Sequence, residues 1–280
     1  MSYSTREQFL ALLMRAGGNF ISGEEASRSM GISRAAVSTA VRGLRDEGYS
    51  IDSVTNRGYR LSVLPDALNN GTLLSGLTPE RMDRVICLTS TSSTNSYLME
   101  MAQEDAPDGQ VVIAEAQTAG RGRTGKRFAS PDGLGIYLSY LMRPDISAGE
   151  SALVTDWHSI TRCVARSVCD VIKDLTNVSP KVSGNGLFVN GKKLCGILTQ
   201  TDMEMESGMF RALVVGIGIN VHQTAEDLAP DSEMTSLDLE TGTANSRPAL
   251  TSSLIHALDT LRVSGESVGT VLVDLSPARP

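Results

Sequence analysis

A chain of 280 residues, 41% hydrophobic and 20% charged, has room for two domains and the apolar content of a packed protein, which excludes disorder as the default. Its net charge of −7 argues against a single nucleic-acid-binding body. No apolar run is long enough to span a membrane and Met1–Arg6 leads straight into an amphipathic segment, so a cytoplasmic protein with no membrane partner is expected.

The charge is unevenly spread. Residues 1–62 hold eight arginines against six acidic side chains, while the rest holds 17 basic against 26 acidic. A mildly basic head on an acidic body suggests that only the head meets nucleic acid. The four cysteines, Cys87, Cys163, Cys169 and Cys195, form no Cys-x-x-Cys pair and have no histidine at ligand spacing, so buried thiols and no bound metal are expected.

In chain order, Arg6–Arg15 carries Phe9, Leu10, Leu12 and Leu13 and stops at Gly17-Gly18, which predicts a first helix. Ser22 caps a second helix with acids in its first turn, running to about Met30. Gly31 turns the chain, and Ser33 caps a third helix, Arg34–Asp46, with Val37, Val41 and Leu44 on one face. Ile51, Val54 and Tyr59–Leu61 around Asn56-Arg57-Gly58 predict a hairpin wing. Helix, glycine turn and capped second helix is the geometry that lays a recognition helix in the DNA major groove. Arg34, Ala35, Ser38 and Thr39 are the candidates for base edges, and Arg42 and Arg57 for phosphates. A small helical domain docking on protein is the alternative reading of the same segment.

Pro65 closes this region; residues 1–63 are expected to form the DNA-binding domain, 64–82 a linker and 83–262 the main body. The body alternates strands at about 84–88, 111–116, 135–142, 187–190, 194–200 and 212–219 with helices at about 95–103, 150–175 and 249–261. This predicts an α+β body with a mixed β-sheet and helices on one side. Trp157 reads as core or interface, and His158 as an exposed polar residue. After the strand ending at Gln117 comes Thr118-Ala-Gly-Arg-Gly-Arg-Thr-Gly-Lys126. Glycines there let backbone approach a ligand and form an anion nest, and Arg121, Arg123 and Lys126 add positive charge suited to phosphate or carboxylate. It is neither a Walker A loop nor, lacking a helix behind it, a dinucleotide fingerprint. As a bare basic loop it also admits the reading of a flexible surface segment.

Ser93-Thr94-Asn95, Gln117 with Gly120–Lys126, Ser130-Pro131 with Ile136–Ser139, Lys193–Leu198, Gly216–Asn220 and Thr235–Leu237 occur in the order and rough spacing of biotin–protein ligases. Over about residues 5–260 the chain resembles the bifunctional type, in which an N-terminal winged helix-turn-helix precedes a biotin/lipoate-ligase-like catalytic domain. The resemblance implies a biotin-responsive repressor that also makes biotinyl-adenylate from biotin and ATP, with Mg2+, and passes biotin to a lysine of a biotin carboxyl carrier protein. It implies operator DNA as a partner and a homodimer formed on ligand binding. By the same resemblance Ser93, Thr94 and Gln117 hydrogen-bond the biotin ring head, with Asn95 and Gly122 in the same substrate-binding set. Gly120 and Arg121 belong to the loop that closes over the ligand. Arg123 and Lys193 hold the carboxylate–phosphate junction as catalytic residues, Arg123 also serving the nucleotide. Gly196 admits backbone approach, and Asn220 meets the nucleotide.

The chain departs from the family twice. Where the family carries Lys-Trp-Pro-Asn-Asp, this chain has Val182-Ser183-Gly184-Asn185-Gly186, in which only the Asn is kept. The tail 263–280 leaves no room for the small β-barrel domain that ends bifunctional members, so its absence is expected. Three readings follow: a working ligase and repressor, a biotin-sensing DNA-binding regulator that ligates poorly, and a lipoate- or octanoate-handling relative. The altered motif favours the second over the first, and the Gly-Arg-Gly-Arg loop disfavours the third.

Overall fold

The computed structural model describes residues 3–122, 127–143, 157–203, 210–228 and 233–263. They form two compact units divided between Asp83 and Arg84.

In the N-terminal unit, α1 (Thr5–Arg15), α2 (Gly23–Met30) and α3 (Arg34–Asp46) each start at a serine cap, Ser4, Ser22 and Ser33, whose side chain accepts a backbone N–H of the first turn. Gly31 ends α2 in the left-handed conformation (φ 65°), a geometry a side chain resists. Phe9, Leu10, Leu13, Val37, Val41 and Leu44 close the core with Ile51 and Leu61 of the wing, β1 (Ile51–Val54) and β2 (Gly58–Leu61). Each such side chain, fully buried, contributes roughly 1.5–3 kcal/mol. At Gly58 (φ 97°) a Cβ would collide with the Ile21 carbonyl, so glycine is what lets the wing pair Tyr59 with Ile21.

The stretch 64–82, expected as a linker, is folded onto this unit. It holds α4 (Asn70–Leu73) and α5 (Pro79–Met82), and buries Leu68, Leu73, Leu74, Leu77 and Met82. Asn70 Nδ2 donates to Glu7 Oε1 at 3.0 Å, and Arg15 donates to the carbonyls of Leu74 and Ser75. Four-residue helices are too short to display a helical period, which is why composition alone reads the segment as loop.

The second unit is built on a seven-stranded sheet of β3 (Val85–Thr91), β4 (Val111–Gln117), β5 (Gly135–Met142), β6 (Lys181–Ser183), β7 (Gly186–Val189), β8 (Lys192–Met203) and β9 (Phe210–Asn220). Their spatial order is β3-β4-β5-β9-β8-β7-β6. Only β3 and β4 run parallel among these neighbours, so the sheet is mixed as expected. The helices, however, cover both faces. Residues alternate faces along a strand. Ser139 of β5 and Gln200 of β8 meet Asn95 of α6 (Thr94–Gln103), whereas Tyr140 meets Asp259 of α9 (Arg247–Val263) and Thr199 meets Thr161 of α7 (Trp157–Thr176). Both faces of β4, β5 and β9 are therefore apolar runs, and a buried run carries no period to say how many layers cover it. A short α8 (Leu237–Thr241) precedes α9. Residues 150–156 of the expected long helix, the side chains of Trp157 and His158, and residues 264–280 of the tail lie outside the described residues.

Candidate functional sites

A hollow on the α6 face follows from where glycines fall. Gly196 of β8 pairs with Gly218 of β9, and Gly216 stands two residues along on the same face. A Cβ at Gly216 would collide with Oδ1 of Asn95, and one at Gly218 would lie 2.6 Å from the Phe128 ring. Asn95 and Phe128 thus rest on backbone where side chains would otherwise stand. The space between them is a cavity of about 530 Å3, walled by the first turn of α6, the segment after β4 and Met234. That volume suits a small organic ligand.

The polar end of the hollow is a hydrogen-bonded network of side chains. Ser93 caps α6, so Thr94 and Asn95 enter the hollow at a fixed angle. Gln117 Oε1, at the end of β4, accepts from Thr94 N (2.9 Å) and Thr94 Oγ1 (3.1 Å), and Gln117 Nε2 donates to Ser130 Oγ (2.8 Å). Fully buried Ser139 sets its hydroxyl 2.6 Å from Asn95 Oδ1 and 2.8 Å from Thr94 Oγ1. Asn95 Nδ2 donates to Gln200 Oε1 at 2.8 Å. The chain of bonds crosses from β8 through α6 to β4, which over-determines the rotamers at the site.

The mouth is cationic. Arg121, Arg127 and Lys193 line the hollow, and no Asp or Glu is among its described lining residues. Gly120 has its Cα against the Phe128 carbonyl and Ser130, so the basic segment folds back on itself there; Phe128 N donates to Gly120 O at 2.9 Å. Gly122 also lines the hollow, while Arg123 and Lys126 fall outside the described residues. Burial pushes the Cys195 thiol, on the strand beneath, up to about 12, so it is a neutral packing group at ordinary pH. Burial likewise raises Tyr137, whose hydroxyl donates to the Pro131 carbonyl (3.0 Å).

Of the residues singled out from sequence, Ser93, Thr94, Asn95, Gln117, Arg121, Gly122, Lys193 and Gly196 converge on this hollow. Gly120 supports it from behind. Asn220 is not among the lining residues. It is buried, donates to the Thr235 carbonyl (3.0 Å) and accepts from Gln223 Nε2 (3.3 Å), and so holds the segment that bridges onto Lys193. Phe128 and Asn185 are lining residues that the sequence reading did not assign; a lone aromatic inside a basic glycine loop was the available signal for the first. Val182–Gly186 proves to be a tight hairpin between β6 and β7, with Ser183 paired to Gly186 and Gly184 at φ 58°. Glycine at the first of two turn residues is the primed-turn preference. Asn185 sits at its tip and exchanges backbone and side-chain bonds with Ile197 at 2.8 Å. No carboxylate stands in the hairpin.

In the N-terminal unit, Arg34, Ala35, Ser38, Thr39 and Arg42 are all exposed on α3, and Arg57 is exposed at the wing tip. Arg34 NH2 lies 2.7 Å from Glu24 Oε2, and the Arg57 guanidinium stacks 4.2 Å over the Phe20 ring. The recognition-helix geometry is thus present, with its first arginine engaged by an acid of the preceding helix.

These features define an α+β domain with a glycine-floored hollow, joined in one chain to a winged helix-turn-helix. Residues 87–220 match the biotin/lipoate A/B protein ligase family and residues 5–60 match the HTH domain. The bifunctional ligase/repressor BirA of Bacillus subtilis is 36% identical over 233 residues, covering 82% of this chain and 69% of that one. Its counterpart in Escherichia coli is 33% identical over 215 residues, covering 76% and 63%. Among solved structures, the biotin protein ligase from Aquifex aeolicus in complex with biotin and ATP superposes with a TM-score of 0.52 at 25% identity, over 64% of this chain and 70% of that one. The Leishmania major enzyme with biotinyl-5-AMP shares the fold (TM-score 0.51, 20% identity, 70% and 87% covered). The chain belongs to the biotin/lipoate protein ligase family, in its bifunctional ligase/repressor branch. Among the described residues no helix is long and apolar enough to cross a membrane.

Proposed function

We propose that the chain activates biotin with ATP, transfers it to a lysine of a biotin carboxyl carrier protein, and represses transcription from operator DNA as a ligand-induced dimer. The observation that carries this reading is the glycine-floored hollow with an amide-and-hydroxyl end and a cationic, carboxylate-free mouth. A fused urea ring offers one carbonyl and two N–H groups, which suits the Ser93, Thr94, Asn95 and Gln117 end. The valerate carboxylate then points toward Arg121 and Lys193.

In the first step a biotin carboxylate oxygen attacks the α-phosphorus of ATP and pyrophosphate leaves. In the second a lysine amine attacks the acyl carbon, loses a proton and expels AMP. Negative charge builds in the first transition state, and fixed cations there lower its energy without a covalent role for the protein. Lys193 and Arg123 are assigned to that junction, Arg121 and the Gly120–Gly122 backbone to enclosing it, and Gly196 to admitting the ligand. Asn220 acts on the nucleotide end through the Thr235 segment that it holds. Mg2+ is expected to accompany ATP; the described lining of the hollow offers it no carboxylate.

The hairpin at Val182–Gly186 supports slow adenylation with biotin binding retained: Asn185 is in place, while Val182 and Gly186 bring neither a cation nor a carboxylate to the reacting centre. The test is incubation of the chain with biotin, ATP, Mg2+ and a carrier domain, reading pyrophosphate release and carrier biotinylation separately. Biotin-dependent pyrophosphate release supports ligase chemistry. Biotin binding without release leaves a sensing regulator, and no biotin binding overturns the proposal.

A further inference from the structure

The β4–β5 ladder stops short of the site it supports. Its last pair is Ala114 with Tyr137, yet β4 runs on to Gln117 and β5 already begins at Gly135. Beyond that pair the two strands part, and the residues between them, 118–134, carry Gly120, Arg121, Phe128 and Ser130. β3 pairs with the end of β4 and β9 with the start of β5, so the two ends are held by different neighbours and no ladder joins them to each other.

Arg247, the first residue of α9, sits at that fork. It is 3% exposed, and its NH1 lies 2.6 Å from Oε2 of Glu115 on β4 and 3.2 Å from the Gly135 carbonyl on β5. Glu115 is two residues before Gln117, whose side chain organises the polar end of the hollow. One guanidinium from the opposite face of the sheet thus ties both strands behind the ligand-binding segment. The Glu115 backbone adds a further tie, accepting from Gly133 N at 3.4 Å. The planar guanidinium aims NH1 at both acceptors in fixed directions, which the freely rotating ammonium of a lysine does not reproduce. Neither residue lines the hollow, so any effect on ligand is transmitted.

We infer that buried Arg247, paired with Glu115, is a positioning device that pins the two strand ends flanking the ligand-binding segment, setting Gln117 for biotin. The inference rests on the hollow being the biotin site, and the experiment separates the two. In the full chain, Arg247→Lys, Arg247→Met and the double variant Glu115→Met/Arg247→Met are compared with the parent. Amide hydrogen exchange is followed by mass spectrometry alongside equilibrium biotin binding. The double variant removes both charges of the pair together and so remains measurable should Arg247→Met fail to fold. Peptides spanning 115–120 and 128–136 should exchange about tenfold faster in the variants, with those of α7 and β9 unchanged. Biotin binding should weaken about tenfold, with Arg247→Lys between parent and Met. Unchanged exchange in those two peptides, or an equal rise in all peptides, overturns the positioning role. Failure of the parent itself to bind biotin overturns the functional reading, while the exchange pattern still decides whether the pair pins the strands.

Discussion

Placing a carboxylate at position 186 should speed adenylation. The five-residue family motif is not transplantable as a block: Gly184 turns the β6–β7 hairpin at φ 58°, and proline, held near −65°, has no access to that geometry. Gly186→Asp keeps the turn. A Cβ there lies 3.1 Å from Lys193 Cε, 3.1 Å from the Cys195 carbonyl and 3.1 Å from the Phe188 ring, so neighbours must yield by a few tenths of an ångström. Mild overpacking of this kind costs about 1–3 kcal/mol of stability, part of it relieved because Lys193 Cε ends a flexible chain. In return the hollow gains a group able to hold a divalent cation with the phosphates. A preorganised electrostatic group is worth on the order of a hundred- to a thousandfold in rate. The new carboxylate also faces Lys193 and partly neutralises it, so the lower end, about a hundredfold, is expected. Biotin-dependent pyrophosphate exchange is the assay, with biotin affinity measured separately and expected to change less than threefold. If Gly186→Asp stays folded and exchange does not rise, or if the parent already turns over as fast as a relative with the motif, then the lost carboxylate does not limit this chain.

Four further outcomes follow from the same geometry. Gly218→Ala drives a methyl to 2.6 Å from the Phe128 ring and should weaken biotin binding tenfold or more while the melting temperature falls only a few degrees, checked by calorimetry. Arg34→Ala should relax base preference, whereas Arg57→Ala should weaken binding evenly and lower the salt slope by about one; both are read from binding to a panel of duplexes at several salt concentrations. Cys195, with its thiol raised to about 12 by burial, should resist alkylation at pH 8 until the chain unfolds; because the thiolate forms more readily in the unfolded chain, its contribution disfavours folding as pH rises from about 9 toward 12, and Cys195→Ala should remove that part of the alkaline loss of stability. Biotin with ATP should raise the dimer fraction in sedimentation, and equal dimerisation without them removes ligand-driven assembly.

Much of this architecture can be read directly from local chemistry. Ser22, Ser33 and Gly31 mark where helices of the head begin and end, because a cap or a left-handed residue is a property of one or two positions. Asn190-Gly191 likewise announces the β7–β8 hairpin, and both residues take positive φ as such a turn demands. The strand at Val111 and the glycine-rich basic segment after Gln117 locate the site, since close backbone approach needs glycine wherever the chain goes next.

Other features escaped for a physical reason. α4 and α5 are one turn each, so their leucines show no period, and a segment read as linker is instead packed on α1. Residues 181–183 are three exposed residues of an edge strand, too few to show an alternation, and only pairing with β7 makes them β. Asn220 carried a family role in the sequence, but its partners Thr235 and Gln223 appear only once the chain has folded back.

The amino-acid sequence by itself determined the two-part plan, the recognition helix, the hairpin turns and the residue types that a cationic, glycine-floored site requires. All of these depend on contacts within a few positions of one another or on side-chain chemistry that travels with the residue. Tertiary structure alone decided that helices cover both faces of the sheet, that Phe128 lies over Gly218, and that Arg247 reaches Glu115 and Gly135 across more than a hundred residues. Such contacts are set by which strands become neighbours, and the order β3-β4-β5-β9-β8-β7-β6 brings together segments whose separation along the chain carries no local signal.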